Sequence, residues 1–490
     1  DGRNQFGATG PIFVGQDTHA LSQPALVTVL EVLAGNGVTA MVDCDMAFVP
    51  TPSVSRAIIR YNEEHDDKAD GIIITPSHNP PDNGGIKYNT IIGGPADTVV
   101  TKWIEMRANE YLTAYCESED FKRISIDNIE PTAQVPYDYK GLYVEELGDV
   151  INMEAIKAAG PKVLVDTLGG SGASYWNAIK ERYGLDLTII HDDYDPTFSF
   201  MTYDHDGKVR MDCSSTYVMA SVINRIGDFD LAVGNDPDYD RYGIVVSSGL
   251  ISANIFLTLA ARYLFTTRGW KNKGVGKTVV CTTMIDKWAA DAETPVFEVP
   301  VGFKYFSQLL FDGAIGIGGE ESAGASFLKK DGTVWTTDKD GMIMALLSME
   351  IMAVMGKSAL KMADEFVEEF GNPSFGRIDA PCKKEQKQIL KQMSAELITA
   401  TTVDGDPITN IRTTSLYNDM PIDGVRVETD KGWFVARPSG TEDLYKIYGE
   451  SYKGDLGLVA LLTAGEEIGQ CCIKWNHRDR MSILIKFSRS

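Results

Sequence analysis

Apolar residues in this chain fall into short runs of four or five that end on Gly, Asp or Pro, separated by longer stretches with helical spacing. Pro11-Ile12-Phe13-Val14, closed by Gly15, predicts a buried strand, and Gln23 to Leu33 follows with the spacing of a helix. Three later segments repeat one pattern, an acidic turn, a short apolar strand and a loop rich in functional side chains. They are Asp70-Gly71-Ile72-Ile73-Ile74-Thr75-Pro76-Ser77, Phe229-Asp230-Leu231-Ala232-Val233-Gly234-Asn235-Asp236 and Phe311-Asp312-Gly313-Ala314-Ile315-Gly316-Ile317-Gly318-Gly319-Glu320. Each predicts the same strand-to-loop turn in one of three related α/β domains, and ligands of open sheets gather beyond such strand ends. Chance likeness between short apolar strands accounts for the pattern equally well when it is taken alone. Near the other end, Gly424 to Thr429 and Gly432 to Arg437 alternate like paired strands across a turn at Asp430-Lys431. The Pro- and Lys-containing stretch Gly371 to Lys391 reads as a linker into that last domain. Met342 to Met355 carries Ser348 and Glu350, so it reads as a buried Met-rich helix rather than a membrane span.

Size and charge narrow the picture. A chain of 490 residues is too long for one compact core and suggests three or four domains. The formal net charge of −23 argues against nucleic-acid and acidic-membrane partners, which its field would repel. A small phosphorylated ligand remains compatible, provided that Arg, Lys and backbone N–H groups are concentrated locally. The seven cysteines show no C-x-x-C spacing, and reduced cytoplasmic thiols are the expectation.

Four loops carry candidate chemistry. In the first, Thr75 to Lys87, Pro76, Pro80 and Pro81 stiffen the chain around Ser77 while Gly84-Gly85 lets it turn back. A rigid exposed Ser suits a nucleophile or phosphoryl carrier. A Pro-rich turn is the plainer reading, and the adjacent His78 is not expected to reach its neighbour's hydroxyl as a triad base. In the second loop, Asp236, Asp238 and Asp240 alternate, so three carboxylates converge on one hard cation, with Arg241 beside them. An EF-hand is excluded, because its sixth position would be Arg241 and its twelfth Ser247. In the third, Glu320 and Ser322 suit paired hydrogen bonds to sugar hydroxyls, or equally a capped helix start. Upstream, Lys304 is either a phosphate or hydroxyl contact or a surface lysine. In the fourth, Arg437, Ser439, Gly440 and Thr441 form a compact oxyanion cradle, rivalled by a strand-to-helix turn with Ser or Thr capping. The Gly-rich turn Asp166 to Gly172 lacks the P-loop lysine and the dinucleotide spacing, and reads as structural.

Taken in this order, the loops resemble the α-D-phosphohexomutase superfamily, and its bacterial glucose-specific phosphoglucomutase branch most of all. The resemblance rests on Thr75-Pro76-Ser77-His78-Asn79-Pro80 with Gly84 to Asn89, Asn235 to Arg241, Gly319 to Ser326, and Arg437 to Asp443, and it runs from about Phe13 to Gly469. It implies three topologically similar α/β domains and a smaller C-terminal α+β domain around a central cleft, with the last domain moving as a lid. The corresponding boundaries are 1–145 for the phosphoserine-loop domain, 146–252 for the metal-binding domain, 253–378 for the sugar-binding domain and 379–490 for the phosphate-binding domain. It also implies Ser77 as phosphoserine, Asp236, Asp238 and Asp240 with Ser77 as ligands of Mg²⁺, and Lys87 as the residue that handles the substrate proton. His78 would lie near the reacting groups, Arg241, Lys304, Glu320 and Ser322 would contact substrate, and Arg437, Ser439, Gly440 and Thr441 would cradle phosphate. The activity implied interconverts glucose 1-phosphate and glucose 6-phosphate, with glucose 1,6-bisphosphate as intermediate and activator. The alternatives are a mannose- or glucosamine-phosphate mutase and a catalytically silent sugar-phosphate-binding relative. Two departures stand out. The family's Ser-Gly-His-Arg-Gly-type loop is absent, so an N-terminally truncated first domain is expected, and the tail from Gln470 to Ser490 does not resemble the expected closing helix.

Overall fold

The structure, a computed structural model, describes residues 2–118, 122–391, 393–439 and 444–473. They fall into two compact units, residues 1–275 with 303–363, and residues 276–302 with 364–490.

In the first unit, strands β1 (Ile12–Gln16), β2 (Ala40–Asp43), β3 (Asp70–Ile74), β4 (Ile86–Asn89) and β5 (Gln134–Tyr137) form a sheet in the order β4-β3-β1-β2-β5. All neighbours are parallel except β4, which runs antiparallel to β3. Successive side chains of a strand point to opposite faces. Ile12 and Val14 accordingly pack with Leu26 and Leu30 of the helix Ser22–Gly35 on one face. Phe13 between them packs with Val54 and Ile58 of the helix Thr51–Glu64 on the other. This two-sided burial is why the parallel strands read as continuous apolar runs.

Strands β6 (Val163–Asp166), β7 (Leu187–Ile190), β8 (Leu231–Asn235), β9 (Tyr242–Val246) and β10 (Gly249–Leu250) repeat the scheme in the order β10-β9-β8-β6-β7. Here β6 is parallel to β7 and β8, and β9 is antiparallel to β8. Strands β13 (Ile315–Gly319) and β14 (Ala325–Phe327) follow as an antiparallel pair, while β12 (Val296–Val299) and most of β11 (Gly274–Thr278) fall in the second unit. Each of the three sequence-predicted turns therefore joins a strand to an antiparallel successor: β3 to β4, β8 to β9, β13 to β14. The Met-rich helix Gly341–Met355 is buried along most of its length, as expected.

In the second unit, β15 (Ser374–Pro381), β16 (Thr402–Val403), β17 (Asp406–Thr414), β18 (Pro421–Thr429), β19 (Gly432–Pro438) and β20 (Leu444–Ser451) form an antiparallel sheet in the order β15-β20-β19-β18-β17-β16. The predicted hairpin is present, with Thr429 opposite Gly432. The stretch Gly371 to Lys391 is not a linker. It forms β15, paired along its length with β20, and then the helix Lys384–Lys391. Ile378 and Ala380 pack on one core while Phe375, of opposite parity, packs on another, and burial alternates from Gly376 to Pro381. A helix, Gly454–Ile473, lays Leu461, Leu462, Ala464 and Ile468 on the sheet's core and so takes in the first residues of the atypical tail. The rest of that tail, 474–490, lies outside the described residues.

Candidate active site

Ser77 follows β3 by three residues and stands in the left-handed region at φ 61°, a conformation that costs a non-glycine residue about 1–2 kcal/mol. The two other strand-end loops share the feature, with Tyr239 at φ 64° and Ala323 at φ 64°. Strain of this kind clusters where a site requires it. Ser77 Oγ donates to the Asp236 carboxylate at 3.2 Å, joining the first loop to the second. His78 Nδ1 lies 3.4 Å from Ser77 Oγ. Against expectation, then, the left-handed turn at Ser77 brings the neighbouring imidazole within reach of its hydroxyl.

Asp236, Asp238 and Asp240 are buried, and their ligand atoms lie within 4.8 Å of one another. The alternation predicted this convergence, and the loop that carries it is backed by protein. The Gly-rich turn after β6 supplies the backing: Ser171 N and Oγ both donate to Pro237 O at 2.8 Å. A Cβ on Gly172 would stand 2.3 Å from the Tyr239 ring. Thr51 Oγ1 donates to Asp238 at 2.6 Å, and Arg241 N donates to Asp236 at 2.9 Å.

Cations offset part of this charge. Lys87 Nζ, ten residues on from Ser77 across the β3–β4 turn, donates to Asp238 at 2.5 Å and Asp240 at 2.8 Å. Lys339 Nζ lies 3.1 Å from Asp240 and 3.7 Å from Glu320, and Arg241 donates to Asp212 at 3.2 Å. Burial would lower the pKa of Lys87, but Asp238 and Asp240 outweigh it and hold the ammonium firmly protonated. Burial and then the charges of Asp240 and Asp238 push the Asp236 carboxyl well up. Burial would likewise raise Asp240, yet Lys339, Lys87 and Arg241 carry it below the usual carboxylate range. Burial, reinforced by Arg241, pushes His78 down to about 3 against the pull of Asp212, leaving a neutral imidazole.

The donor set fits a hard divalent cation. Asp238 Oδ1 and Asp240 Oδ1 are buried with no hydrogen-bond partner among the described residues, and an unpaired buried carboxylate oxygen is costly. Three carboxylate ligands also leave coordination positions open for phosphate oxygens.

The third loop joins the second through its backbone. Tyr242 N donates to Ala323 O at 3.1 Å, and Arg241 bridges to Gly324. Glu320 is buried and Ser322 half-buried on this loop. Lys304 instead donates to Thr98 Oγ1 at 2.5 Å. In the second unit, Arg437 is the last residue but one of β19 and its Nε is buried without a hydrogen-bond partner among the described residues, while Ser439 is buried near it. Gly440 and Thr441 lie outside the described residues.

Sequence reasoning passed over Thr51, Asp212 and Lys339. Lys339 had a visible signal, because Asp338-Lys339-Asp340 is a charged triplet directly before a uniformly apolar helix. Asp340 caps that helix through Met342 N and Ile343 N. Thr51 and Asp212 had none, since each arrives from a distant segment.

Comparison with known proteins places four consecutive matches along the chain. Profiles of phosphoglucomutase/phosphomannomutase alpha/beta/alpha domains I, II and III match residues 3–114, 142–249 and 252–370, and the C-terminal domain of that family matches 379–456. A phosphoglucomutase of Komagataeibacter xylinus is 47% identical over 472 residues, covering 95% of this chain and 85% of the relative. Phosphoglucomutase 1 of Saccharomyces cerevisiae is 26% identical over 90% of this chain and 81% of its own length. Among solved structures, a putative phosphomannomutase from Thermus thermophilus superposes with a TM-score of 0.72 at 22% identity, covering 96% of this chain and 92% of its own. The N-acetylphosphoglucosamine mutase of Aspergillus fumigatus, solved with GlcNAc-6P and magnesium, gives a TM-score of 0.53 at 16% identity, covering 90% and 93%. These structural likenesses speak to the fold.

Proposed function

The chain belongs to the phosphoglucomutase/phosphomannomutase family, and from that premise we propose that it interconverts α-D-glucose 1-phosphate and glucose 6-phosphate through phosphorylated Ser77 and glucose 1,6-bisphosphate. The phosphoglucomutase that shares 47% identity across most of both chains supports glucose as the sugar. One observation carries the catalytic assignment: Ser77 Oγ stands 3.2 Å from Asp236 in a trio of buried carboxylates that Lys87 bridges. Asp236, Asp238 and Asp240 would hold Mg²⁺ together with an oxygen on Ser77, and the ion would neutralise charge on the transferred phosphoryl group.

Phosphoryl transfer asks the protein for position and charge more than for covalent help. In the first half, the bond from phosphorus to Ser77 Oγ breaks as one forms to the 6-hydroxyl oxygen of glucose 1-phosphate, and the proton that this hydroxyl gives up passes to Ser77 Oγ. The bisphosphate then reverses. The bond from phosphorus to O1 breaks, Ser77 Oγ recovers a phosphoryl group, and its hydroxyl proton passes to the sugar oxygen. We assign Lys87, which donates to Asp238 and Asp240, to offsetting charge on the moving group and to handling the substrate proton. His78 Nδ1 stands 3.4 Å from Ser77 Oγ, and we assign it a place near the reacting groups on that ground. We assign Glu320, Ser322, Arg241 and Lys304 to sugar and phosphate contacts, and Arg437, Ser439, Gly440 and Thr441 to the phosphate that is not transferred. The unpaired Arg437 Nε supports that cradle. No single helix among the described residues is long and apolar enough to cross a membrane. We also propose a cytoplasmic setting for this chain.

Intact-mass analysis tests the assignment. A phosphate-sized increment on Ser77, removed by glucose 6-phosphate and restored by glucose 1,6-bisphosphate, is expected. Undiminished mutase activity in Ser77→Ala would overturn it.

A further inference from the structure

The loop that carries Ser77 is held from behind by a closed polar network at the end of β1. Asp17 is buried and accepts four hydrogen bonds. Ser22 Oγ donates to its Oδ1 at 2.6 Å and His19 N at 3.1 Å, while Thr75 Oγ1 and His19 Nδ1 each donate to its Oδ2 at 2.7 Å. Two arms extend from it toward the active serine. In one, Thr75 Oγ1 accepts the backbone N–H of Ser77 at 2.8 Å. In the other, the remaining ring nitrogen of His19, Nε2, lies 3.0 Å from the carbonyl oxygen of Asn79. The two arms grip the chain two residues before and two residues after Ser77.

We propose that Asp17, His19 and Thr75 are positioning residues for phosphoryl transfer, a clamp that holds Ser77 in its left-handed conformation with Oγ aimed at the carboxylate trio. The inference rests on the reading of Ser77 as the phosphoryl carrier. Three features support it. First, Ser77 at φ 61° is a conformation that L-residues adopt only when their surroundings fix it, and the Thr75 bond acts on the N–H of that very residue. Second, both ring nitrogens of His19 face acceptors, a carboxylate and a backbone carbonyl. Both must therefore donate, which makes the ring a cation paired with Asp17. Burial alone would lower the His19 pKa, and the Asp17 hydrogen bond and charge more than reverse this. A charge-assisted bond is shorter and stronger than a neutral one, so the arm to Asn79 is stiff. Third, every member is buried, Asp17 at 0%, His19 at 1%, Ser22 at 1% and Thr75 at 2% exposure, so water cannot replace a lost partner. None of the three touches the trio directly, so their effect on the reaction passes through the geometry of Ser77.

Thr75→Val tests the clamp, because it keeps the branched shape and removes only the hydroxyl. The phosphorylated holoenzyme is assayed with saturating Mg²⁺, measuring steady-state turnover and single-turnover loss of phosphate from Ser77 on mixing with glucose 1-phosphate. Displacing a reacting atom by about 1 Å costs on the order of 10²-fold in rate, so a fall of that size in kcat with KM nearly unchanged is expected. Thr75→Ser restores the hydroxyl and should recover most of the rate. Should Thr75→Val not fold, His19→Phe is read in the same way, since a ring of similar size keeps the packing against Phe198. The proposal is overturned if the variants keep parental kcat, or if Thr75→Ser is as impaired as Thr75→Val with thermal stability falling in parallel. A parent chain that exchanges no phosphate at Ser77 would instead overturn the assignment beneath it, and the clamp with it. Parental phosphate exchange at Ser77 combined with a silent Thr75→Val removes the clamp alone.

Discussion

The turn between Ser77 and Lys87 contains two adjacent glycines whose surroundings differ, and substituting each in turn measures how closely the site depends on that turn. Neither has a positive φ, so alanine is allowed by the backbone at both. A Cβ on Gly85 would stand 2.4 Å from the carbonyl oxygen of Thr75 and 3.1 Å from Pro76 Cα, about 1 Å inside the 3.4 Å at which ordinary contact begins. The obstacle is backbone that cannot rotate away, and Thr75 N already donates to Gly85 O at 2.9 Å in the same place. Gly85→Ala must therefore part the start of β4 from the end of β3 by about 1 Å, which moves Lys87 relative to Ser77. A displacement of that size costs on the order of 10²-fold in kcat, or about 2.7 kcal/mol of transition-state stabilisation. The neighbouring Gly84→Ala meets only the Leu21 side chain, at 3.3 and 3.4 Å, and should stay within about threefold of the parent. Glucose 6-phosphate formation, coupled to NADP reduction and followed at saturating glucose 1,6-bisphosphate, reads both variants, with thermal melts as the control for folding. Equal activity in the two variants, whether both active or both dead, would refute the reasoning, because the argument depends on one residue of separation.

Metal dependence should follow the trio: Asp238→Asn is expected to raise the Mg²⁺ concentration for half-maximal activity at least about tenfold, and an unchanged titration would remove Asp238 from the ligand set. Mg²⁺ at 100 times its dissociation constant should also stabilise the parent by about 2.7 kcal/mol, which chelation reverses in a denaturant titration. In the second unit, Arg412 grips the buried Glu298 at 2.6 and 2.8 Å, and Arg412→Ala should cost about 3–5 kcal/mol, more than the paired replacement of both by Met. Burial would lower the folded pKa of His19, but Asp17, with a smaller contribution from Asp238, raises it overall. The stability this gives is full below the unfolded value of about 6.5 and is lost as pH rises through the folded value. Melting temperature should therefore fall on that alkaline side in the parent, and His19→Phe should flatten this part of the profile.

How far the sequence could be read depended on whether the chemistry of each residue is local. Whereas Ser77 and Lys87 stood out only through the family resemblance, the three aspartates lie in one short segment whose alternation brings their carboxylates together, so they were legible from spacing. The same holds for the three strand-end turns and for the β18–β19 hairpin, where the apolar pattern and turn residues agree. Thr51, Asp212 and Asp17 were not legible, because each enters the site from a separate segment and their residue types are ordinary on any surface. The strand β15 was missed for another reason. Its alternation is carried by only two apolar residues, Ile378 and Ala380, both only half-buried, and the Gly and Pro residues around it read as a break.

The recurrence of one local geometry in the three α/β loops suggests why the motif residues are so closely spaced. Each loop leaves a buried strand, turns through a left-handed non-glycine residue and returns antiparallel: Ser77 between β3 and β4, Tyr239 between β8 and β9, Ala323 between β13 and β14. Such a turn aims short side chains and backbone groups back across the strand ends, and the strand pairs on either side fix its direction. The backbone bonds between Arg241, Tyr242, Ala323 and Gly324 then tie the second loop to the third, while Ser77 and Lys87 tie the first to the second. A reaction whose chief requirement is fixed charge around a moving phosphoryl group is served by such mutual restraint, since no loop can shift without disturbing another's hydrogen bonds. On this view the strained residues resist replacement for different reasons. Ser77 supplies the reacting oxygen, whereas the buried Tyr239 fills the space over Gly170 and Gly172, and a smaller residue there would release the metal loop from its backing.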